Sequence, residues 1–279
     1  MLQGTPGRRV SEFYDHHPIS EAGVLAALAR RGRENPLVLT VEDLFEFDQD
    51  HYGGLAAVDI LARRAGIGAH SRVLDVCAGL GGPARFLSRR RRSKVVALEL
   101  HAGRAQGAIR LNRLVRETGV AVVRADATCL PFGSGAFDAC LSQEALLHIT
   151  DKPAVLRECH RVLAPGGRLA FTDWVARPGL GDRERERLWE WMAAITLQTL
   201  DSYRTLIGHA GFSAIEAEDL SEEWRPILRR RLAMYRALRV ETVARLGEER
   251  YREYDQLYTF FVSLVEDGKL GGGRFSATG

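Results

Sequence analysis

Val73-Leu74-Asp75-Val76-Cys77-Ala78-Gly79-Leu80-Gly81-Gly82-Pro83 is the stretch that decides the fold. A short apolar run ends in a glycine-rich turn, and Pro83 suits the first turn of a helix that follows. Glycines at such a corner let the backbone pass close to a bound molecule. The same rhythm repeats downstream. Strands are expected over 94–100, 121–125, 137–142 and 168–173, with helices over 83–91, 105–118 and 152–163 between them. A sixth strand is expected at 213–219, and the tail 273–277 reads as a last one. This alternation predicts an α/β fold, a mostly parallel sheet with helices on both faces.

Outside this core the pattern is helical. Residues 1–19 show no clear period and read as a flap; Ser20 can cap a helix over 21–31 that Asn35-Pro36 breaks. Thr40 and Asp43 make an approximate capping box for 41–47, and 55–65 reads as a further helix. A helix is expected at 184–200, and two amphipathic ones at 223–246 and 248–266. The domain division expected is a helical flap at 1–50, a core at 51–219, a helical lid insertion at 220–268 and the last core strand at 269–279.

Composition removes several classes of function. The 279 residues are 46% hydrophobic and 27% charged, as in a folded globular chain. No stretch nears the roughly 20 apolar residues that span a bilayer, and Met1–Arg9 has no apolar leader region. The expectation is a cytoplasmic monomer or homodimer without a membrane partner. Cys77, Cys129, Cys140 and Cys159 are scattered, and His16, His17, His51, His101, His160 and His209 show no ligand spacing, so no metal site is expected. Net charge is +3, and all of the 39 basic residues except Lys94, Lys152 and Lys269 are Arg. The runs Arg89–Arg92 and Arg229–Arg231 read as solvated faces, and no nucleic-acid partner is expected.

Gly79-Leu80-Gly81-Gly82-Pro83-Ala84 fits G-x-G-x-x-G/A, a weak signal alone. Its neighbours narrow the choice. Asp75 lies in the approach to the turn, where a dinucleotide fold has apolar residues. Glu99 ends the second strand about twenty residues on, where a carboxylate accepts from a ribose diol; this serves NAD and S-adenosylmethionine alike. Asp126 ends the third strand and can accept from an adenine amino group. The three carboxylates trace an adenosyl site along one sheet edge.

VLDVCAGLGGPARFL, VVALEL, VRADATCLPFGSGAFDACLSQEALLHI and VLAPGGRLAFTDW resemble the successive motifs of class I S-adenosylmethionine-dependent methyltransferases. The branch they are most similar to holds the sarcosine/dimethylglycine and phosphoethanolamine N-methyltransferases, from about Leu44 to the closing GGGRFSA. The resemblance implies a Rossmann-like seven-stranded sheet whose last strand is antiparallel, inserted between the fifth and sixth. It implies S-adenosyl-L-methionine as cofactor, S-adenosyl-L-homocysteine as product, and cofactor contacts at Tyr52, Asp75, Cys77, Ala78, Gly79, Gly81, Glu99, Leu100, Asp126, Ala127 and Gln143. Cys77 departs from the pattern, standing where the family has the first glycine of its loop.

Methyl transfer from a sulfonium is an in-line displacement, so the protein has to align an unprotonated acceptor. His148, after the fourth strand, is the candidate base; a role in capping or packing the next helix is the alternative. No Tyr falls at the spacing of that branch's His partner, which leaves Tyr14 and Tyr52 as stand-ins. Glu144, Trp174 and Trp189 are the candidate acceptor-binding residues, Trp174 through a cation–π contact. Ala193 and Ile195 stand where the phosphoethanolamine branch has a phosphate-binding Arg and Tyr, which argues against a phosphorylated substrate. The reading is methylation of a small amine of the sarcosine type. Methylation of oxygen or carbon on a specialised metabolite is the alternative, and an NAD-dependent oxidoreductase is the more distant one.

Overall fold

The computed structural model describes residues 6–279 apart from His16, Pro18, Glu34, Pro36 and Asp50. Residues 1–5 of the expected flap, His16 of the histidine pair and Pro36 of the expected helix break lie outside the described residues. Four helices come first: α1 (Pro6–Asp15), α2 (Glu21–Arg30), the single turn α3 (Val41–Leu44) and α4 (Gly54–Arg64). The sheet region follows as β1 (Arg72–Val76), α5 (Gly82–Arg91), β2 (Lys94–Leu98), α6 (Ala102–Leu114), β3 (Val120–Val123) and β4 (Phe137–Gln143). Then come α7 (Lys152–Val162), β5 (Leu163–Ala176), α8 (Asp182–Met192), α9 (Leu200–His209) and β6 (Ser213–Asp219). The helices α10 (Ser221–Ala237), α11 (Arg239–Leu246) and α12 (Glu248–Glu266) lead to β7 (Leu270–Thr278). None of these helices is long and apolar enough to cross a membrane.

The strands lie in the order β3-β2-β1-β4-β5-β7-β6. β1 pairs in parallel with β2 and β4, β2 with β3, and β4 with β5, whereas β7 runs antiparallel between β5 and β6. The carboxyl ends of β1 to β5 therefore share one edge. Alternation along each strand builds two cores. Val73, Val95, Ala139 and Ala170 join one buried cluster, while Leu74, Val76, Cys140 and Phe171 join the cluster on the other face. A third cluster gathers Trp174, Leu188, Met192, Trp224, Tyr258 and Phe261. Gly272 permits that packing: a Cβ there would lie 2.4 Å from the Trp224 ring, which rests on β7.

Several elements differ from the sequence reading, each for a local reason. The helix expected over 184–200 ends at Met192, where Ala193 takes φ +51°. The chain then runs along Leu147, whose carbonyl accepts from Ile195 N–H at 2.9 Å, before Thr199 caps α9 by accepting from Ser202 N–H at 3.1 Å. The helix expected over 223–246 breaks at Leu238, where ψ turns to +23°. β3 stops at Val123, so Asp126 sits in the following loop and does not close the strand. α1 was not expected as a helix. Val24, Leu28, Val41, Leu44 and Phe45 belong to the same cluster as Val73, so the expected boundary at residue 50 crosses a continuous core.

One ion pair joins the N-terminal segment to the glycine corner. Arg85 on α5 and Asp48 have fully buried side chains. Arg85 Nε and one terminal nitrogen donate to Asp48 Oδ2 at 3.0 and 2.9 Å, and the guanidinium also donates to Leu80 O at 2.6 Å and Asn112 Oδ1 at 2.8 Å. Burial pushes the Asp48 carboxyl upward, and the Arg85 charge opposes it. Gly82 lets the segments meet, because a Cβ there would lie 2.3 Å from the Asp48 carbonyl oxygen. Asp48→Ala strands a buried guanidinium and should lower the unfolding free energy by about 3–5 kcal/mol. Urea denaturation checks this; a loss under about 1 kcal/mol is what a solvated pair would show.

Candidate active site

A cavity of about 1370 Å³ opens along the carboxyl edge of the sheet. Its floor begins at the corner after β1. Ala78 N–H still donates to Leu98 O at 2.9 Å, and Gly81 N–H closes the turn onto Ala78 O at 2.8 Å. Cys77 takes φ +60°, a conformation glycine adopts freely and an L-residue holds at a cost of roughly 1–2 kcal/mol. Burial, then the nearby Glu99 charge, raises the Cys77 thiol well above its ordinary range, so it stays a neutral wall group without nucleophilic character. Gly79 has φ +58°, and a Cβ on it would lie 2.6 Å from the Arg104 guanidinium.

The carboxylates of this edge differ in environment. Asp75 is buried; it accepts from Ala84 N–H and its Oδ2 has no partner. Burial first, and then the Glu99 charge, raise Asp75 to about 7. Glu99 braces two backbone segments, with Oε2 accepting from Gly79 N–H at 2.9 Å and Oε1 from His101 N–H at 2.7 Å. Each oxygen keeps a second lone pair. Asp126 is exposed, and its Oδ1 accepts from Thr128 N–H at 2.8 Å and Thr128 Oγ1 at 2.7 Å.

Farther along the lining, one arginine (Arg104) beyond Gly79, His148 Nδ1 lies 2.9 Å from Ala193 O and Nε2 lies 3.0 Å from Tyr14 Oη. A carbonyl only accepts, so Nδ1 carries the proton in the neutral ring and Nε2 presents its lone pair to Tyr14. α1 holds Tyr14 there. His101 accepts from Arg104 N–H at Nδ1, which leaves Nε2–H to donate to Asp15 at 3.1 Å, and the Arg104 guanidinium lies 4.6 Å from the Tyr14 ring centre. Glu144 has φ +45° and accepts from Tyr52 N–H at 2.7 Å and from the Thr172 hydroxyl. Burial raises Glu144 to about 7 against those two bonds. Gln143 Nε2 and Trp174 Nε1 are buried without partners.

Of the residues singled out from sequence, Tyr52, Asp75, Cys77, Ala78, Gly79, Glu99, Leu100, Asp126, Ala127, Gln143, Glu144, His148 and Trp174 line this one cavity. Gly81 does not; it serves the turn as the left-handed cap of α5. Trp189 does not either. The buried stripe of α8 is Leu188 and Met192, four apart, which turns Trp189 aside. Arg231 corrects the reading of 229–231 as a solvated face: it lines the cavity, lies 4.9 Å from the Tyr52 ring centre and donates to His51 O at 2.9 Å. Arg229 and Arg89 do face outward, paired with Glu266 and Glu42. The sequence reading missed Arg231, Tyr254 and Tyr258 as cavity residues; the helical spacing of the tyrosines was the signal to follow.

Asp75 gives a test of this electrostatic picture. Its carboxyl stays protonated in the fold up to about pH 7 and ionises near pH 4 in the unfolded chain. The stability it contributes is therefore complete below about pH 4 and lost as pH rises through about 7. Asp75→Asn has no proton to lose and should gain on the wild type as pH rises from 5 to 7, by about 1 kcal/mol per unit. Parallel stability–pH curves for the two proteins would remove the shifted carboxyl.

Comparison with known proteins adds to this geometry. Residues 74–171 match a family described as a methyltransferase domain. The chain is 35% identical to the methyltransferase GfsG of Streptomyces halstedii over 60% of its own length and 61% of that protein. It is 34% identical to the sarcosine/dimethylglycine N-methyltransferase of Halorhodospira halochloris over 55% of each chain. Each match thus spans less than two thirds of the curated relative. Phosphoethanolamine N-methyltransferase 2 of Haemonchus contortus, in complex with phosphomonomethylethanolamine and S-adenosylhomocysteine, superposes with TM-score 0.80 over 96% of this chain and 59% of that one. At 19% identity it shows a shared fold, the seven-stranded class I methyltransferase sheet.

Proposed function

Residues 74–171 being a methyltransferase domain, we propose that the protein transfers the methyl group of S-adenosylmethionine to an amine nitrogen of a small-molecule acceptor, with His148 as base. The observation that carries this reading is one cavity that brings an acidic, glycine-lined wall together with the Tyr14–His148 pair. The relatives named above as sarcosine/dimethylglycine and phosphoethanolamine N-methyltransferases favour nitrogen as the acceptor atom.

The residues present fit the cofactor on one structural point above all: the buried, unpartnered Asp75 Oδ2 answers an ammonium group. Glu99 would use its remaining lone pairs on a ribose diol, and Asp126 its second oxygen on an adenine amino group. Gly79 and Ala78 would lie against the cofactor's amino-acid portion. When bound, S-adenosylmethionine supplies an electrophilic methyl on a sulfonium. What remains for the chain is to bring up an uncharged amine and exclude water. An ammonium has no lone pair, so its proton passes to Tyr14 Oη as Tyr14 gives its own to His148 Nε2, and the carbonyl of Ala193 steadies the imidazolium that forms. Tyr14 fixes the ring and closes the site on the α1 side. Trp174 and Glu144 face an incoming cation with an aromatic surface and a carboxyl. The helices of 220–268 act with α1 as the cover that keeps water out.

Calorimetry with S-adenosylhomocysteine and NAD tests the cofactor; tight binding of NAD alone would replace this reading with a nicotinamide one. His148→Ala should lower amine methylation, read by product mass, about 10²–10⁴-fold while leaving S-adenosylhomocysteine affinity nearly intact. Raising the pH toward 10 should restore part of the loss, because free amine then forms without assistance. A variant that loses cofactor affinity and stability together, with no recovery at high pH, would show His148 to be a packing residue.

A further inference from the structure

The cavity is larger than a cofactor and a sarcosine-sized acceptor require. Pockets that hold one drug-sized ligand run about 300–1,000 Å³, and this one is about 1370 Å³. The surplus has a direction. An aromatic wall starts at Trp174, at the carboxyl end of β5, and runs outward along one face of α12. Trp174 stacks on Phe261 at 4.2 Å between ring centres, Phe261 meets Tyr258 at 5.8 Å, Tyr258 stacks with Tyr254 at 5.9 Å, and Tyr254 meets Tyr235 of α10 at 4.9 Å. Trp174, Tyr258, Tyr254 and Tyr235 all line the cavity, with Phe261 behind them. Helix packing accounts for Tyr235 on Tyr251, and the His17 ring lies 6.3 Å from that of Tyr254, yet Tyr235, Tyr254 and Tyr258 all keep part of their surface on the cavity. The wall ends at Met234 and Leu238, which also line the cavity and are 58% and 40% exposed. Large apolar side chains held at a cavity mouth mark a surface that a ligand covers.

Resting on the methyltransferase reading above, we propose that the acceptor is an extended, largely apolar molecule of about the cofactor's size. Its methylated nitrogen sits near His148 and Trp174, and its body lies along Tyr258, Tyr254 and Tyr235 toward Met234. Phe13 of α1, packed against the same cluster, adds a further apolar surface to the cavity lining. Glu144, His148 and Gln143 supply the polar groups of the nitrogen end, while Arg231 and Arg245 also line the cavity, Arg245 beside Tyr235. The site thus recognises a polar head on a lipophilic body.

The test uses the full chain saturated with S-adenosylhomocysteine, titrated calorimetrically with n-butylamine, n-hexylamine, n-octylamine and n-decylamine, and with sarcosine. Affinity should climb about three- to fourfold per added methylene, and sarcosine should bind more weakly than the longest amine by several orders of magnitude. Met234→Gln, at an exposed position, should flatten the gain between octylamine and decylamine. Affinity independent of chain length, sarcosine as the tightest ligand, or an unaltered slope in Met234→Gln would each overturn the extended acceptor while S-adenosylhomocysteine still binds. Failure of S-adenosylhomocysteine itself to bind would overturn the methyltransferase reading, a separate outcome read in the first titration.

Discussion

The site depends on the buried pair of Arg85 and Asp48. Two charges taken out of water are held only where every donor and acceptor finds a partner. Here the guanidinium reaches Asp48, Asn112 and Leu80 O, while Gln49 Nε2 donates to the other Asp48 oxygen at 2.6 Å. The pair fixes three things at once: the start of α5, the glycine turn before it and the segment of 44–52 that lies across it. From Gln49 the bonding continues through His51 Nε2, 2.7 Å from Gln49 Oε1, and then by the chain itself to Tyr52, whose N–H donates to Glu144. One buried polar path therefore links the glycine corner after β1 to the turn after β4.

This arrangement makes the acidic cavity tolerable. Two carboxyls raised to about 7, Asp75 and Glu144, would be costly if both were charged in a closed apolar space. Neutral below about pH 7, they leave the cavity wall with less charge than two ordinary carboxylates would until a cation arrives. A bound ammonium would favour the ionised form of either one. The same low-dielectric walls that raise these carboxyls strengthen a charge–charge contact once it forms.

The sheet was legible because its strands are buried on both faces, so β1, β2 and β4 read as short apolar runs within a residue or two of their ends. β3 was overextended since it is an edge strand and loses its ladder after Val123. The carboxylates could be found because each stands next to a strand end, a fixed offset in sequence. Tyr14 was legible only as one of two stand-ins for the partner of His148; the choice between it and Tyr52 needed the fold, since Tyr14 meets His148 across 134 positions and no local pattern carries that pairing. α1 does carry a stripe, Val10, Phe13 and Tyr14 at helical spacing, but Pro6, Gly7 and the absence of a longer period hid it; these residues line the cavity, and Phe13 also packs against the third cluster. Arg231 was hidden in a charge run whose other members do face water, and only the cover formed by α10 separates it from them.

The two parts of the N-terminal segment are fastened by different forces, and this bears on how the site opens. Residues 24–48 carry Val24, Leu28, Leu44 and Phe45 into the core and end on the Arg85 pair, so moving them would expose apolar surface and a charge. None of the described residues 7–15 of α1 is fully buried. That helix is held by Tyr14 on His148, Asp15 on His101, the Arg104 guanidinium over Tyr14, Arg9 on the Glu190 carbonyl and the half-buried Phe13 against the third cluster. Contacts of these kinds contribute about 0.5–1.5 kcal/mol each. Their loss costs far less than unpacking the 24–48 segment. α1 is therefore the element whose release would cost least, and Tyr14, which helps to hold it, is the residue bonded to the proposed base. Release of the helix would also free His148 Nε2 from the partner that positions it.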